Sequence, residues 1–189
     1  MYLIFDTETT GLPINYKAPL SDFKNWPRMV QLAWMSYYEN GQLIESQNLI
    51  IKPDGFSIPV AAVKVHGIST DRALAEGISL NEALTKFAGS IEQAKFLVAH
   101  NIEFDANILG AEFLRTQIPN KLFDKPHICT MKKSTNFCQL PGNYGYKWPS
   151  LTQLHLKLFK SDFREAHNAQ IDVQACAKCF FELKRQRII

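Results

Sequence analysis

Hydrophobic and polar positions alternate along this chain with two periods, and each change of period separates a predicted strand from a predicted helix. Runs of aliphatic, aromatic and β-branched residues predict strands that begin at Tyr2 and cover 29–38, 43–51, 95–99 and 126–130. Asn40-Gly41 predicts a hairpin between the second and third runs. Helical spacing predicts helices at 59–65, from Ser69, and at 79–92, 102–116, 151–159 and 168–187. The spacing of Ser79 and Glu82 predicts a capping box at the start of the third helix. This order of elements is typical of an α/β fold with a mixed sheet.

The remaining segments predict loops and a single unit. Both 9–27 and 131–150 are predicted to be long loops. The first begins at a break in the strand pattern, and the second contains Pro141, Gly142, Gly145 and Pro149. A chain of 189 residues without an internal repeat or linker predicts one domain over residues 1–189.

Composition narrows the class of protein only moderately. The 46% hydrophobic and 21% charged residues are ordinary for a globular protein, and the net charge of +3 permits a polyanionic partner without requiring one. No apolar run is long enough to span a membrane, and the start lacks a signal-peptide pattern, so a cytoplasmic location is expected. Cys176 and Cys179 form a C-x-x-C, but they lie within a predicted helix, where buried thiols are expected rather than a zinc or redox site.

Two carboxylates end the first strand. Asp6 and Glu8 are two positions apart, so they share one face of a strand. Like charges at the end of a buried strand repel each other and lose hydration, and a divalent cation would remove that cost.

Two further acids occupy positions that helices normally bury. Asp105 lies in line with Ile102 and Leu109, just after the strand that ends at Ala99. Asp172 lies in line with Cys176 and Leu183, and His167 precedes that helix, for which Asn168 is a suitable cap. Each acid alone has an ordinary alternative as a partnered or edge residue. Together the four acids predict one metal site, whose all-oxygen ligands suit Mg2+ or Mn2+.

Three motifs resemble those of the DEDDh-type, or DnaQ-like, 3′–5′ exonucleases. The segment D-T-E-T-T-G-L at 6–12 is similar to the first motif, H-N-I-E-F-D at 100–105 to the second and H-N-A-Q-I-D at 167–172 to the third, and V-H-G-I-S at 65–69 resembles a structural segment of the same family. The family includes the proofreading epsilon subunit of bacterial DNA polymerase III. One departure is Asn168, where family members often have Arg or Asp after the histidine. The resemblance implies an RNase H-like fold, a five-stranded mixed sheet whose first three strands are antiparallel.

The resemblance also implies a chemistry. Asp6, Glu8, Asp105 and Asp172 would hold two divalent cations, with Asp6 bridging them, and His167 would be the general base that releases 5′-mononucleotides from a 3′ end. The expected contacts with the terminal nucleotide come from four residues: Thr10, Leu12, Asn101 and Phe104. For Phe104, ordinary packing beneath the sheet is an equal alternative. His100 is expected to orient Asp105.

Two loops interleave basic and aromatic residues, as surfaces for single-stranded nucleic acid do. They are Tyr16 to Trp26, and Lys132 to Trp148, where the segment 146–149 is expected to anchor its loop rather than to bind. The expected partner is a nucleic acid with a 3′ end, foremost single-stranded DNA. An exoribonuclease similar to oligoribonuclease or RNase T, and a catalytically silent binding module, are the alternatives. The end of the chain at Ile189 favours a freestanding enzyme, while a loose polymerase association and a homodimer stay open.

Overall fold

The computed structural model describes residues 1–161 and 168–189. The strands in chain order are β1 (Tyr2–Thr9), β2 (Met29–Tyr37), β3 (Leu43–Ile50), β4 (Phe96–Ala99), β5 (His127–Cys129), β6 (Pro141–Gly142) and β7 (Gly145–Tyr146). The helices in chain order are α1 (Val60–His66), α2 (Thr70–Glu76), α3 (Leu80–Gln93), α4 (Ile102–Thr116), α5 (Thr130–Lys133), α6 (Thr135–Cys138), α7 (Leu151–Phe159) and α8 (Ala169–Arg185). None of the helices in these ranges is long and apolar enough to cross a membrane.

The main sheet has five strands in the order β3-β2-β1-β4-β5. β1, β2 and β3 are antiparallel neighbours, whereas β4 lies parallel to β1, and β5 lies parallel to β4. The predicted α/β class and the RNase H-like fold, with its first three strands antiparallel, are therefore confirmed. β1 is the central strand, so its residues are covered on both faces.

The side chains of β1 alternate between two separate cores. Leu3 and Phe5 face α3 and α4, where they join the largest hydrophobic cluster. Tyr2 and Ile4 face the opposite side and pack against α8. The same alternation continues into the polar end of the strand, so Asp6 and Glu8 lie on the α8 side, whereas Thr7 lies on the α4 side.

Most predicted elements agree with the structure to within a few residues, but the loop predicted at 131–150 is wrong. This stretch contains α5, α6 and the small β6–β7 hairpin. Each element has only two to four residues, too few to show a hydrophobic period.

The capping box was predicted at the wrong helix. Ser79 does cap α3 by accepting the Glu82 N–H, but the Glu82 side chain pairs with Lys86 instead of returning to the cap. The reciprocal pair occurs at α7, between Ser150 and Gln153.

Candidate metal centre

Three of the four predicted acids converge at one end of β1. Asp6 and Glu8 extend from the strand, and Asp172 extends from the first turn of α8, which packs on the same face of the sheet. Asp6, Glu8 and Asp172 each place one carboxylate oxygen within 4.8 Å of the others. Such a cluster of oxygen ligands is compatible with a hard divalent cation.

The start of α8 is fixed to the sheet, which sets the position of Asp172. The Asn168 side chain caps the helix by accepting the Gln170 N–H, as predicted. The Ala169 N–H donates to the side-chain oxygen of Gln31 on β2, at 3.2 Å. Because both contacts lie within one turn of Asp172, its carboxylate is held by backbone rather than by a mobile loop.

Asp105 joins the site from the other side, where β1 and β4 part. The parallel pairing of these strands reaches only as far as Ile4 and Val98, so the β1 backbone beyond that point has no strand partner on this edge. Asp105 Oδ1 replaces the missing strand by accepting the Thr7 N–H at 3.0 Å and the Thr7 hydroxyl at 2.8 Å. The divergence of the strands thus creates the cleft, and Asp105 satisfies the backbone that the cleft exposes.

The chain turns sharply between β4 and the helix that carries Asp105. Asn101 has a φ of 69°, in the left-handed region where asparagine is better tolerated than most residues. This turn allows α4 to start at Ile102 and places Asp105 in its first turn, where the helix dipole favours a carboxylate.

Burial, with mutual repulsion, raises the pKa of three of the four acids. Burial is the main cause of the raised pKa of Asp6, and Asp105, Asp172 and Glu8 add repulsion. Burial, with repulsion from Asp172 and Asp105, raises the pKa of Glu8 to about 8. Burial also raises the pKa of Asp105 to about 7, although the hydrogen bonds from Thr7 oppose this rise. Without a cation, the cluster therefore resists full ionisation at neutral pH.

The other predicted site residues have different environments. His167 lies outside the described residues. Thr10 is partly engaged, because its hydroxyl accepts the Arg28 N–H, while Leu12 is 72% exposed beside it. Phe104 is half-buried and packs against the main core, as the alternative interpretation expected.

His100 does not orient Asp105. Its Nε2 donates to the Pro149 carbonyl at 3.0 Å, so its Nδ1 accepts the Thr130 hydroxyl, also at 3.0 Å. Burial lowers the pKa of His100 to about 4, although the bond to Pro149 opposes this change. His100 is therefore a neutral link between the β4 end and the segment that follows the β6–β7 hairpin.

A buried carboxylate that the sequence analysis missed supports the rim of the cleft. Glu112 on α4 is 0% exposed, and its Oε1 accepts the Met29 N–H at 2.9 Å and the Arg28 Nε–H at 3.0 Å. Arg115 lies 3.2 Å from the same oxygen and also donates to the Trp26 carbonyl. Glu112 thus fixes the backbone that pairs with Thr10. Its position seven residues after Asp105, on the same buried side of the helix, was the available signal.

Cys176 and Cys179 form no metal site with other described residues. Burial holds the pKa of Cys176 well above its usual range and raises the pKa of Cys179 to about 12, so both remain thiols. Cys176 packs with α8 against the sheet, whereas Cys179 belongs to a separate cluster with Leu154 and Leu183.

A family model connects this geometry with known proteins. The model of the RNase T exonuclease family matches residues 3–180, which covers α4 and most of β1 and α8. The chain belongs to this exonuclease family. The resemblance of its three motifs to the DnaQ-like exonucleases is thereby confirmed.

Two curated relatives are much longer proteins. The PolC-type DNA polymerase III of Mycoplasmopsis pulmonis is 35% identical over 117 residues, which cover 62% of this chain and 7% of the polymerase. The PolC-type polymerase of Lactococcus lactis is 28% identical over 180 residues, or 95% of this chain and 10% of the polymerase. The chain therefore spans about a tenth or less of the length of these relatives.

Solved structures share its fold. E. coli Exonuclease I in complex with a dT13 oligonucleotide has a TM-score of 0.76 at 20% identity, over 98% of this chain and 41% of that one. Exonuclease X in complex with 5′ overhanging duplex DNA has a TM-score of 0.63 at 22% identity, over 99% of this chain and 93% of that one. At these identities the likeness shows that the fold is shared.

Proposed function

We propose that the chain forms one DEDDh exonuclease domain, which hydrolyses the terminal phosphodiester bond at the 3′ end of DNA and releases 5′-mononucleotides. The observation that carries this proposal is the cluster of Asp6, Glu8 and Asp172, whose carboxylate oxygens lie within 4.8 Å of one another. Mutually repelling, partly buried acids at the end of a central strand cost stability unless a cation neutralises them.

The residues fit two divalent cations, Mg2+ or Mn2+. Asp6, Glu8 and Asp172 would hold the ions from the α8 side of β1, and Asp105, whose Oδ1 is bonded to Thr7, would add its other carboxylate oxygen. Two such ions, when bound, stabilise the attacking and leaving oxygens of an in-line displacement.

The protein's own residues would position the substrate and accept the proton of the attacking water. Asp105 and Thr7 fix the edge of the cleft in which the scissile phosphate would lie. We assign the role of general base to His167, since imidazole is the side chain best suited to accept a proton near neutral pH. Leu12 would pack against the terminal base, because this 72% exposed side chain lies two residues after Thr10, just beyond the end of β1. Asn101 forms the turn before α4 and would face the scissile end, together with the part of Phe104 that the core leaves exposed.

The direct test is digestion of matched DNA and RNA strands labelled at either the 3′ or the 5′ end. Early release of the 3′ label as a mononucleotide, in Mg2+ or Mn2+ but not in a chelator, is expected. Asp172→Asn should abolish turnover, and Asp124→Asn, an exposed acid near the start of β5, is the matched control. Early release of the 5′ label would contradict the proposed polarity, and undiminished release in chelator would contradict the metal dependence.

A second variant tests the base. His167→Ala should lower turnover strongly while leaving Mg2+ binding, measured by calorimetry, unchanged. Unchanged nuclease rates in this variant would reject the assignment. Faster hydrolysis of RNA than of DNA would support the exoribonuclease alternative, and no hydrolysis with either metal would support the binding module.

The curated relatives favour one of the open partners. Both named relatives are DNA polymerases, so association with a polymerase, in the same chain or as a separate one, is part of this proposal. Co-purification of the domain with a replicative polymerase from the source cell would test it.

A further inference from the structure

One segment of the chain has a larger net positive charge than the chain as a whole. Residues 130–160 contain five lysines and no aspartate or glutamate, so with a net charge of +3 for the whole chain, the rest has a net charge of −2. All five lysines are exposed: Lys132, Lys133, Lys147, Lys157 and Lys160. A local excess of exposed cations favours a polyanionic partner more strongly than the overall charge does.

The same segment exposes aromatic rings. Tyr144 at the tip of the β6–β7 hairpin is 104% exposed, Tyr146 is 51% exposed and Trp148 is 60% exposed. By contrast, Trp26 and Trp34 are 2% and 0% exposed, and each donates its indole N–H within the fold. The aromatic hairpin, defined here as residues 141–148, therefore does not cover the core. The segment 146–149 is expected to anchor its loop rather than to bind; Pro149 is buried, as anchoring requires, whereas the rings of Tyr146 and Trp148 are open to a ligand.

The aromatic hairpin is fixed to the rim of the metal centre. Buried Pro149 accepts the His100 hydrogen bond at the end of β4, directly before the turn that leads to Asp105. Lys132 on α5 contacts Glu103 in the first turn of α4 and lies 5.6 Å from the centre of the Trp148 ring. Two separate contacts thus hold the exposed rings beside the cleft rather than at a remote surface.

We propose that the aromatic hairpin, with Lys132, Lys133 and Lys147, binds the single-stranded tract that leads into the metal centre. Base faces would stack on Tyr144, Tyr146 and Trp148, and the lysines would neutralise the phosphates. This combination binds single strands without sequence preference. This surface would hold the substrate of the proposed function, and the direction of the bound strand rests on that function. Binding to the surface can be tested without hydrolysis.

The first experiment uses tryptophan fluorescence with oligothymidylate and oligouridylate in chelator. Because all three tryptophans are described and only Trp148 is exposed, stacking should quench fluorescence, and Trp148→Phe should remove most of the change. Tyr144→Ala should weaken binding by about 5-fold to 150-fold, the range for losing one stacked base. Lys133→Ala with Lys147→Ala should lower the slope of log affinity against log salt by about 1.4, since each phosphate contact to a single strand contributes about 0.7.

Matched controls lie at the opposite edge of the sheet. Tyr38→Ala removes a tyrosine that is 53% exposed, and Lys178→Ala removes an exposed lysine of α8. Neither should change affinity. The proposal is overturned if neither oligonucleotide quenches the wild-type protein, or if the control variants weaken binding as much as the hairpin variants do.

The second experiment separates this surface from catalysis. With Mg2+, Tyr144→Ala should raise the KM for a long strand far more than the KM for a dinucleotide that cannot reach the hairpin. A length of about 12 nucleotides suits the long strand, since it is within the span of single-strand sites. Equal changes for both substrates would overturn the proposal. If wild-type protein binds in chelator but hydrolyses neither substrate, the proposed function fails while the binding surface is supported.

Discussion

Replacing Glu8 by glutamine is expected to stabilise the metal-free protein. Glu8 and glutamine have nearly the same shape, so the packing at the end of β1 is kept, while one negative charge is removed from the cluster with Asp6 and Asp172. Most substitutions near an active site lower stability. An increase in stability is expected here because burial and neighbouring carboxylates make the ionised form of Glu8 unfavourable.

The magnitude follows from the pKa of Glu8. Its ordinary pKa of 4.5 rises to about 8 in the folded protein, so the stability that comes from the protonated form is complete below about pH 4.5 and is lost as the pH rises to about 8. One pKa unit corresponds to about 1.4 kcal/mol, which sets a ceiling of about 5 kcal/mol. Because Glu8 is only half-buried, solvent reduces the gain to about 1–3 kcal/mol, or a rise in Tm of about 2–12 °C in a domain of this size.

The assay is thermal unfolding in chelator and in Mg2+ across this pH range. In chelator, the advantage of Glu8→Gln should grow from about pH 4.5 and level off above about pH 8. Saturating Mg2+ should reduce the advantage of the variant, since wild-type protein gains about 2.7 kcal/mol at a concentration of about 100 times Kd and the variant gains less. Glu92→Gln, an exposed acid paired with Lys121, is the control and should not raise Tm. A lower Tm for Glu8→Gln in chelator at about pH 8 would refute the reasoning.

Three further substitutions test other contacts. Glu112→Ala should destabilise the domain by about 3–5 kcal/mol in urea unfolding, because it leaves two arginines without their buried partner; a loss below about 1 kcal/mol, the size of a surface pair, would show that the arginines find another. Thr7→Val removes the hydroxyl bond that lowers the pKa of Asp105, so this pKa should rise further and Mg2+ affinity should fall. The pH profile of activity should move to higher pH, and an unchanged profile would contradict this. Gly77→Ala should lower Tm, since its Cβ would lie 2.3 Å from the Ala73 carbonyl and 2.6 Å from the Lys52 nitrogen; an unchanged Tm would show that the backbone moves without cost.

The sequence predicted the part of the site that depends on periodicity. Alternation along β1 placed Asp6 and Glu8 on one face, and helical spacing placed Asp172 toward the same core, which is where the structure has them. It also marked Asp105 as a buried acid, and Asp105 is 3% exposed. These predictions succeeded because each follows from the geometry of one strand or one helix.

Contacts between distant elements could not be predicted in this way. The Thr7–Asp105 bond spans 98 residues and depends on where β4 leaves β1, and the His100–Pro149 bond depends on a segment with no regular pattern. Glu112 was overlooked although the argument used for Asp105 applied equally to it. Its arginine partners are distributed between the β2 entry and α4, so no local motif reveals the group.

The bond between Thr7 and Asp105 has a practical consequence for trapping a substrate complex. An inactive variant is useful only if the cleft keeps its shape, and replacing Asp105 by alanine would remove the group that closes the β1 edge as well as a cation ligand. The carboxylates of Asp6 and Glu8 lie on the other face of the strand, and the hydrogen bonds that close the β1 edge do not involve them. Crystallisation with an intact oligonucleotide should therefore use Glu8→Gln, whose inactivity and added stability would come from the same lost charge.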